Sequence, residues 1–78
     1  MKVVFYERDN ELRAKAICTV TCDGQEVAFS GSPSVIQMVL NGVLTGRGWV
    51  RPSEGRPYLE ALVQAHQGTR LYAVLEEA

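Results

Sequence analysis

The stretch that most constrains this chain is residues 12–22, LRAKAICTVTC, followed at once by Asp23-Gly24. Its even positions are Leu12, Ala14, Ala16, Cys18, Val20 and Cys22, and its odd positions are Arg13, Lys15, Ile17, Thr19 and Thr21. One set is apolar and the other mostly polar. That period of two is the pattern of a half-buried antiparallel strand. Asp-Gly favours a tight hairpin, because a type I′ turn needs positive φ at both central residues. Closing the turn there pairs Cys22 with Gln25, Val20 with Val27 and Cys18 with Phe29. The apolar face of the second strand then meets the apolar face of the third.

Residues 2–7, KVVFYE, are β-branched and aromatic and predict a first strand. A four-residue loop at 8–11 pairs Phe5 with Ala14 and Val3 with Ala16. The predicted core face of this meander is Val3, Phe5, Ala14, Ala16, Cys18, Val20, Val27 and Phe29. The opposite face would carry Val4, Tyr6, Ile17, Tyr72 and Val74, more apolar than a fully wetted face needs.

The period changes at SGSPSVIQMVLNGV, residues 30–43. Ser32 suits an N-cap, Pro33 the first helical position, and Asn41-Gly42 a helix end. Ile36, Val39, Leu40 and Val43 share one helical stripe, which Val35 and Met38 widen. So little of this helix is polar that it is either deeply buried or in part meets a partner. A second helix begins near Pro57, with Leu59, Leu62, Val63 and His66 on one stripe and Gly68 at its end. RLYAVL, residues 70–75, predicts a last strand beside the first or the third.

The predicted fold class is α+β: one domain over residues 1–78, a small single-layer antiparallel sheet in the order β-β-β-α-α-β, with two helices on one face. At 78 residues with 46% hydrophobic and 22% charged composition the chain is globular rather than disordered. A chain this short buries only about 60% of its unfolded surface, so self-association is a natural source of further stability. The net charge of −1 gives no global attraction to nucleic acid or anionic membrane. No apolar run has the length of a membrane helix, and acidic residues follow the first apolar run too soon for a signal peptide. Cys18 and Cys22, on one strand, are held about 13 Å apart. That is beyond the ~7 Å reach of a disulfide, which fits reduced thiols and a cytoplasmic location.

Catalytic chemistry has little to stand on. His66, the only histidine, falls on the apolar stripe of the second helix with no second residue placed to orient it. Cys18 points inward, with no evident basic neighbour to lower its pKa. A small enzyme centred on His66 or Cys18 is therefore the last of three readings, and no catalytic residue is assigned. No metal or cofactor is expected either. Cys18 and Cys22 are too far apart for one tetrahedral zinc, and GVLTGRG is not a phosphate cradle.

The segment NGVLTGRGWVRPSEGRPYL, residues 41–59, holds four of the seven glycines and the only Trp. Arg47, Arg51 and Arg56 stand against Glu54, with Trp49 among them. Arginine beside an aromatic ring serves single-stranded nucleic acid binding and protein hot spots equally well. The plainer alternative is a short extended segment that tucks Trp49 onto the core. The leading functional expectation is a non-enzymatic cytoplasmic protein working through protein–protein contacts, self-association into a homodimer included. The alternative is a nucleic-acid-binding accessory protein using Arg47, Trp49, Arg51 and Arg56. No membrane partner is expected.

Overall fold

The computed structural model describes residues 1–23, 26–45, 48–50 and 55–77. Four antiparallel strands form the main sheet: β1 (Lys2–Arg8), β2 (Ala14–Asp23), β3 (Glu26–Gly31) and β6 (Leu71–Glu76), in the spatial order β3-β2-β1-β6. The helices are α1 (Pro33–Leu40) and α2 (Arg56–Ala65). The α+β class and the order β-β-β-α-α-β hold, and the last strand lies beside the first. Between the helices the chain adds a short hairpin, β4 (Val43–Thr45) with β5 (Gly48–Val50); β5 is the short extended segment expected around Trp49, and its pairing with β4 is new.

Both helices cover one face of the main sheet: α1 over β3 and β2, α2 over β6, β1 and β2. The core between them is one cluster: Val3, Phe5, Cys18, Val20, Val35, Val39, Tyr58, Leu59, Leu62 and Ala73. Burying a side chain the size of Leu59 or Leu62 stabilises by roughly 1.5–3 kcal/mol. On α1 the buried pair is Val35 and Val39, one turn apart, while Met38 and Leu40 remain 37% and 43% exposed. Pro33 does open α1, and Gly42 ends it at φ 98°. Ser32, however, makes no side-chain cap; its hydroxyl lies 3.1 Å from that of Ser34. Nor does Gly68 end α2: the cap position is His66, and the Gly68 N–H instead donates to the Leu71 carbonyl.

Two registers differ from expectation. The β1–β2 loop covers residues 9–13, because Asp9 organises it. One Asp9 carboxylate oxygen, Oδ1, accepts the N–H groups of Glu11 (2.8 Å) and Arg13 (2.9 Å), and the Asp9 carbonyl accepts that of Leu12. Leu12 takes φ 64° and lies 68% exposed, outside the strand. The ladder runs from Arg8 opposite Ala14 to Tyr6 opposite Ala16, then shifts at a bulge so that Phe5 faces Cys18 and Val3 faces Val20. The extra residue is Ile17. A bulge moves side chains beyond it to the other face. Ala14 and Ala16 are therefore exposed rather than core, and Ile17 packs against the core rather than away from it.

In the β2–β3 hairpin Val20 faces Phe29, Cys22 faces Val27 and Asp23 faces Glu26, two residues further along than the Asp-Gly turn predicts. The shift keeps every side chain on its expected face. Gly31 supplies the reason for it. It sits opposite Cys18 at φ 114°, and a Cβ there would clash with the Ile17 carbonyl oxygen. Only glycine allows the two backbones to approach this closely.

Candidate functional site

Of the four residues Arg47, Trp49, Arg51 and Arg56, only Arg56 has its side chain among the described residues. Arg47 and Arg51 lie outside the described residues. Trp49 falls in β5, opposite Leu44, and its side chain lies outside what the structure describes. Arg56 opens α2, where its guanidinium pairs with Glu60 at 2.8 Å and with Glu77 just beyond β6. The Glu60 hydrogen bond, then the Glu77 charge, hold it more firmly protonated. With two carboxylates already on it, Arg56 is a poor ligand for a phosphate.

His66 is half-buried at the end of α2. Its Nδ1 lies 2.8 Å from the Leu62 carbonyl, and its ring meets Phe5 edge-on, with centroids 5.0 Å apart. Both cysteines are free; Cys18 is buried, which pushes its thiol pKa up, away from a reactive thiolate. Tyr58 is a residue the sequence did not single out. Among the described residues it is the largest fully buried side chain, and its hydroxyl has no hydrogen-bond partner there. Burial, then the nearby Cys22 and Cys18, push its pKa up to about 12. Among the described residues no three His, Cys, Asp or Glu side chains gather to hold a metal ion.

The face of the sheet away from the helices carries Val4, Tyr6, Tyr72 and Val74 as expected, but not Ile17, which packs against the core. Val4 is 6% exposed there, and Tyr6 and Tyr72 stack at 5.4 Å with their rings 19° apart. The Arg8 guanidinium sits 4.2 Å from the Tyr72 ring centre. These rings largely satisfy one another, leaving Val74 as the exposed large apolar residue of that face.

The two edges of the sheet are unlike. Along an antiparallel strand the backbone groups of successive residues point alternately to the two sides. The Arg8 N–H donates to the Arg70 carbonyl (2.7 Å), which extends the β1–β6 ladder and turns Leu71, Ala73 and Leu75 outward. That edge is covered. The Leu71 carbonyl accepts the Gly68 N–H (2.9 Å), the Ala73 N–H donates to the His66 carbonyl (2.8 Å), and the Ala73 carbonyl accepts from Gln67 Nε2 (3.0 Å). On the other side, the Ser32 N–H donates to the Ile17 carbonyl (2.7 Å) and extends the β2–β3 ladder. Ala28 and Ser30 therefore bond inward to β2, and Val27 and Phe29 present both backbone groups outward. No described residue bonds them.

The open edge coincides with a signal that periodicity does not register. Residues 27–46, VAFSGSPSVIQMVLNGVLTG, contain no Asp, Glu, Lys, Arg or His, although the chain carries 17 acidic and basic residues elsewhere. That run contains most of β3 and all of α1. Edge strands are normally guarded by charge, proline or a covering segment. From Val27 onward β3 has no charge and no proline, and among the described residues no segment bonds along it.

The architecture so defined is a small α+β domain with one covered and one open sheet edge. Searches against known protein families, curated proteins and solved structures find no match to this chain.

Proposed function

We propose that this protein works through protein–protein contacts made by the uncharged flank of β3 and α1, without enzymatic activity of its own. One observation carries the reading: an unguarded sheet edge and an incompletely buried helix fall in one charge-free run. Exposed Met38 and Leu40 add apolar surface to the flank, and interface centres are depleted of charge. The free thiols of Cys18 and Cys22 fit a reducing, cytoplasmic setting. Among the described residues no helix is long and apolar enough to cross a membrane.

The test is a photo-crosslinking side chain placed at Leu40 or, as the control, at exposed Gln64 on α2, in the native host. Leu40 should give a discrete protein adduct that Met38→Lys abolishes, and Gln64 should not. Equal labelling at the two positions, or none at Leu40, would overturn the reading.

A further inference from the structure

We infer that the partner at the open edge is a second copy of this chain, joined β3 to β3 across a two-fold axis at Ala28. This rests on the reading of the flank as an interaction surface and names what occupies it. The hydrogen-bonding pattern sets the geometry. With Ala28 opposite Ala28, Val27 comes opposite Phe29 of the second copy, and Phe29 opposite its Val27. Both are outward-facing residues, and in an antiparallel pair such residues exchange two N–H···O=C bonds. Two of these pairs satisfy every backbone group that Val27 and Phe29 leave unpaired, and the two four-stranded sheets become one of eight.

Charge and size favour a copy over an unrelated strand. A two-fold contact sets the same surface against itself, so any charge on the edge would meet its like. From Val27 to Gly31 there is none, and Glu26 comes opposite Ser30 rather than opposite itself. The residue on the axis is alanine, exposed and small enough for two to sit face to face. Two copies of a chain with net charge −1 repel weakly. The other edge is less suited to this role, because the segment 66–68 already occupies the Leu71 carbonyl and the Ala73 N–H at its centre. A strand pair alone buries less than the ~1,600 Å² of a standard interface. The association should accordingly be reversible, with a dissociation constant on the order of micromolar.

Sedimentation equilibrium of the full chain from about 1 µM to about 1 mM tests this, with Ala28→Lys, Ala28→Glu and their equimolar mixture alongside. The wild type should pass from monomer to dimer. Each variant places two like charges on the axis and should weaken dimerisation at least tenfold, and the mixture should restore it as a heterodimer. Slow exchange of the Ala73 amide in every sample shows that the fold persists. A wild type that stays monomeric, a dimer indifferent to Ala28→Lys, or a mixture that fails to associate would each overturn the inference. Loss of the homodimer with the Leu40 crosslink retained would mean a flank that binds some other protein; loss of both would remove the flank reading as well.

Discussion

The sheet has two edges built from similar residues, yet they are finished in opposite ways. EVAFSG and LYAVLE are both six-residue strands rich in apolar and small side chains. What separates them is the chain that adjoins each. β6 follows directly on the turn after α2, and that turn lies back along it, so the Leu71 carbonyl and both outward groups of Ala73 are bonded within the molecule. β3 runs straight into α1, which folds over the sheet face and leaves the outward groups of Val27 and Phe29 bare. The comparison teaches that an edge is open or covered according to where its neighbour in sequence goes, not according to its own hydropathy.

The largest expected effect comes from breaking the anchor of the open edge. Gly31→Ala adds a Cβ into contact with the Ile17 carbonyl and the Cys18 Cα, 2.8 Å away, at a φ that an L-residue rarely adopts. The clash is with backbone, so no side-chain rotation relieves it. Urea denaturation should show a loss of about 3 kcal/mol or more, a large part of the stability of a domain this size. β3 should also lose its pairing to β2 first, seen as fast exchange of the Ala28 and Ser30 amides. An unchanged midpoint would mean that β3 is not held in the register described.

Next in size is the alkaline response of Tyr58, which asks whether the covered edge depends on α2. The pKa of Tyr58 is raised from 10.0 to about 12 in the folded protein, so the folded state keeps its proton where the unfolded state has lost it. Stability should be level below pH 10, fall between pH 10 and 12, and level again above. The loss should total roughly 2–3 kcal/mol. Because His66 and Gln67 follow α2 immediately, loosening α2 should also uncover Ala73. Tyr58→Phe should abolish this alkaline loss. At neutral pH it should hold stability or raise it by up to about 1 kcal/mol, since a buried hydroxyl without a partner among the described residues is removed. A Tyr58→Phe protein with the same alkaline decline would show that another group is responsible.

These two sites also mark what the sequence could convey. Alternation reported which face each core side chain takes, and Val3, Phe5, Cys18 and Val20 are buried as their parity required. It could not report register, because a slip of two residues in the β2–β3 hairpin leaves every side chain on the same face. The information that chooses between the two registers sits in the missing Cβ of Gly31, a steric fact with no hydropathy. Ala14, Ala16 and Ile17 were misplaced because a bulge inverts parity with no mark in composition. The β4–β5 hairpin has only three residues per strand, too few for a period to show. Backbone hydrogen bonds at an edge depend on chain path and cannot be read from side-chain pattern. The charge-free run at 27–46 was legible, but only as composition, and it became a site once β3 proved to be an open edge.

A smaller effect sharpens the comparison at the covered edge. Gln67 Nε2 bonds the carbonyls of both Val63 (2.7 Å) and Ala73 (3.0 Å), tying the end of α2 to β6. Gln67→Ala should cost about 1 kcal/mol in urea, the value of hydrogen bonds at a partly wet position. Faster exchange of the Ala73 amide should accompany it. If that amide stays equally protected, the main-chain bond to His66 alone covers the edge.

The smallest effect is expected where neither edge is involved. The Asp9 carboxylate lies in the loop joining the two interior strands. The backbone N–H of Arg13, then that of Glu11 and the Arg13 side chain, hold its pKa below the usual 3.8. A lowered folded pKa means that the stabilisation is present above the unfolded value and is lost as pH falls through the folded one. The group is exposed, so the response should be local. On acidification the amide resonances of Glu11 and Arg13 should titrate with Asp9, below the ordinary aspartate range. Asp9→Asn should remove that titration. The exchange rates of the Ala73 and Ala28 amides, corrected for the intrinsic effect of pH, should stay constant through the same range. If either changes with Asp9, the loop and the edges share one cooperative unit, and the contrast between a covered and an open edge could not be assigned to the segments that adjoin them.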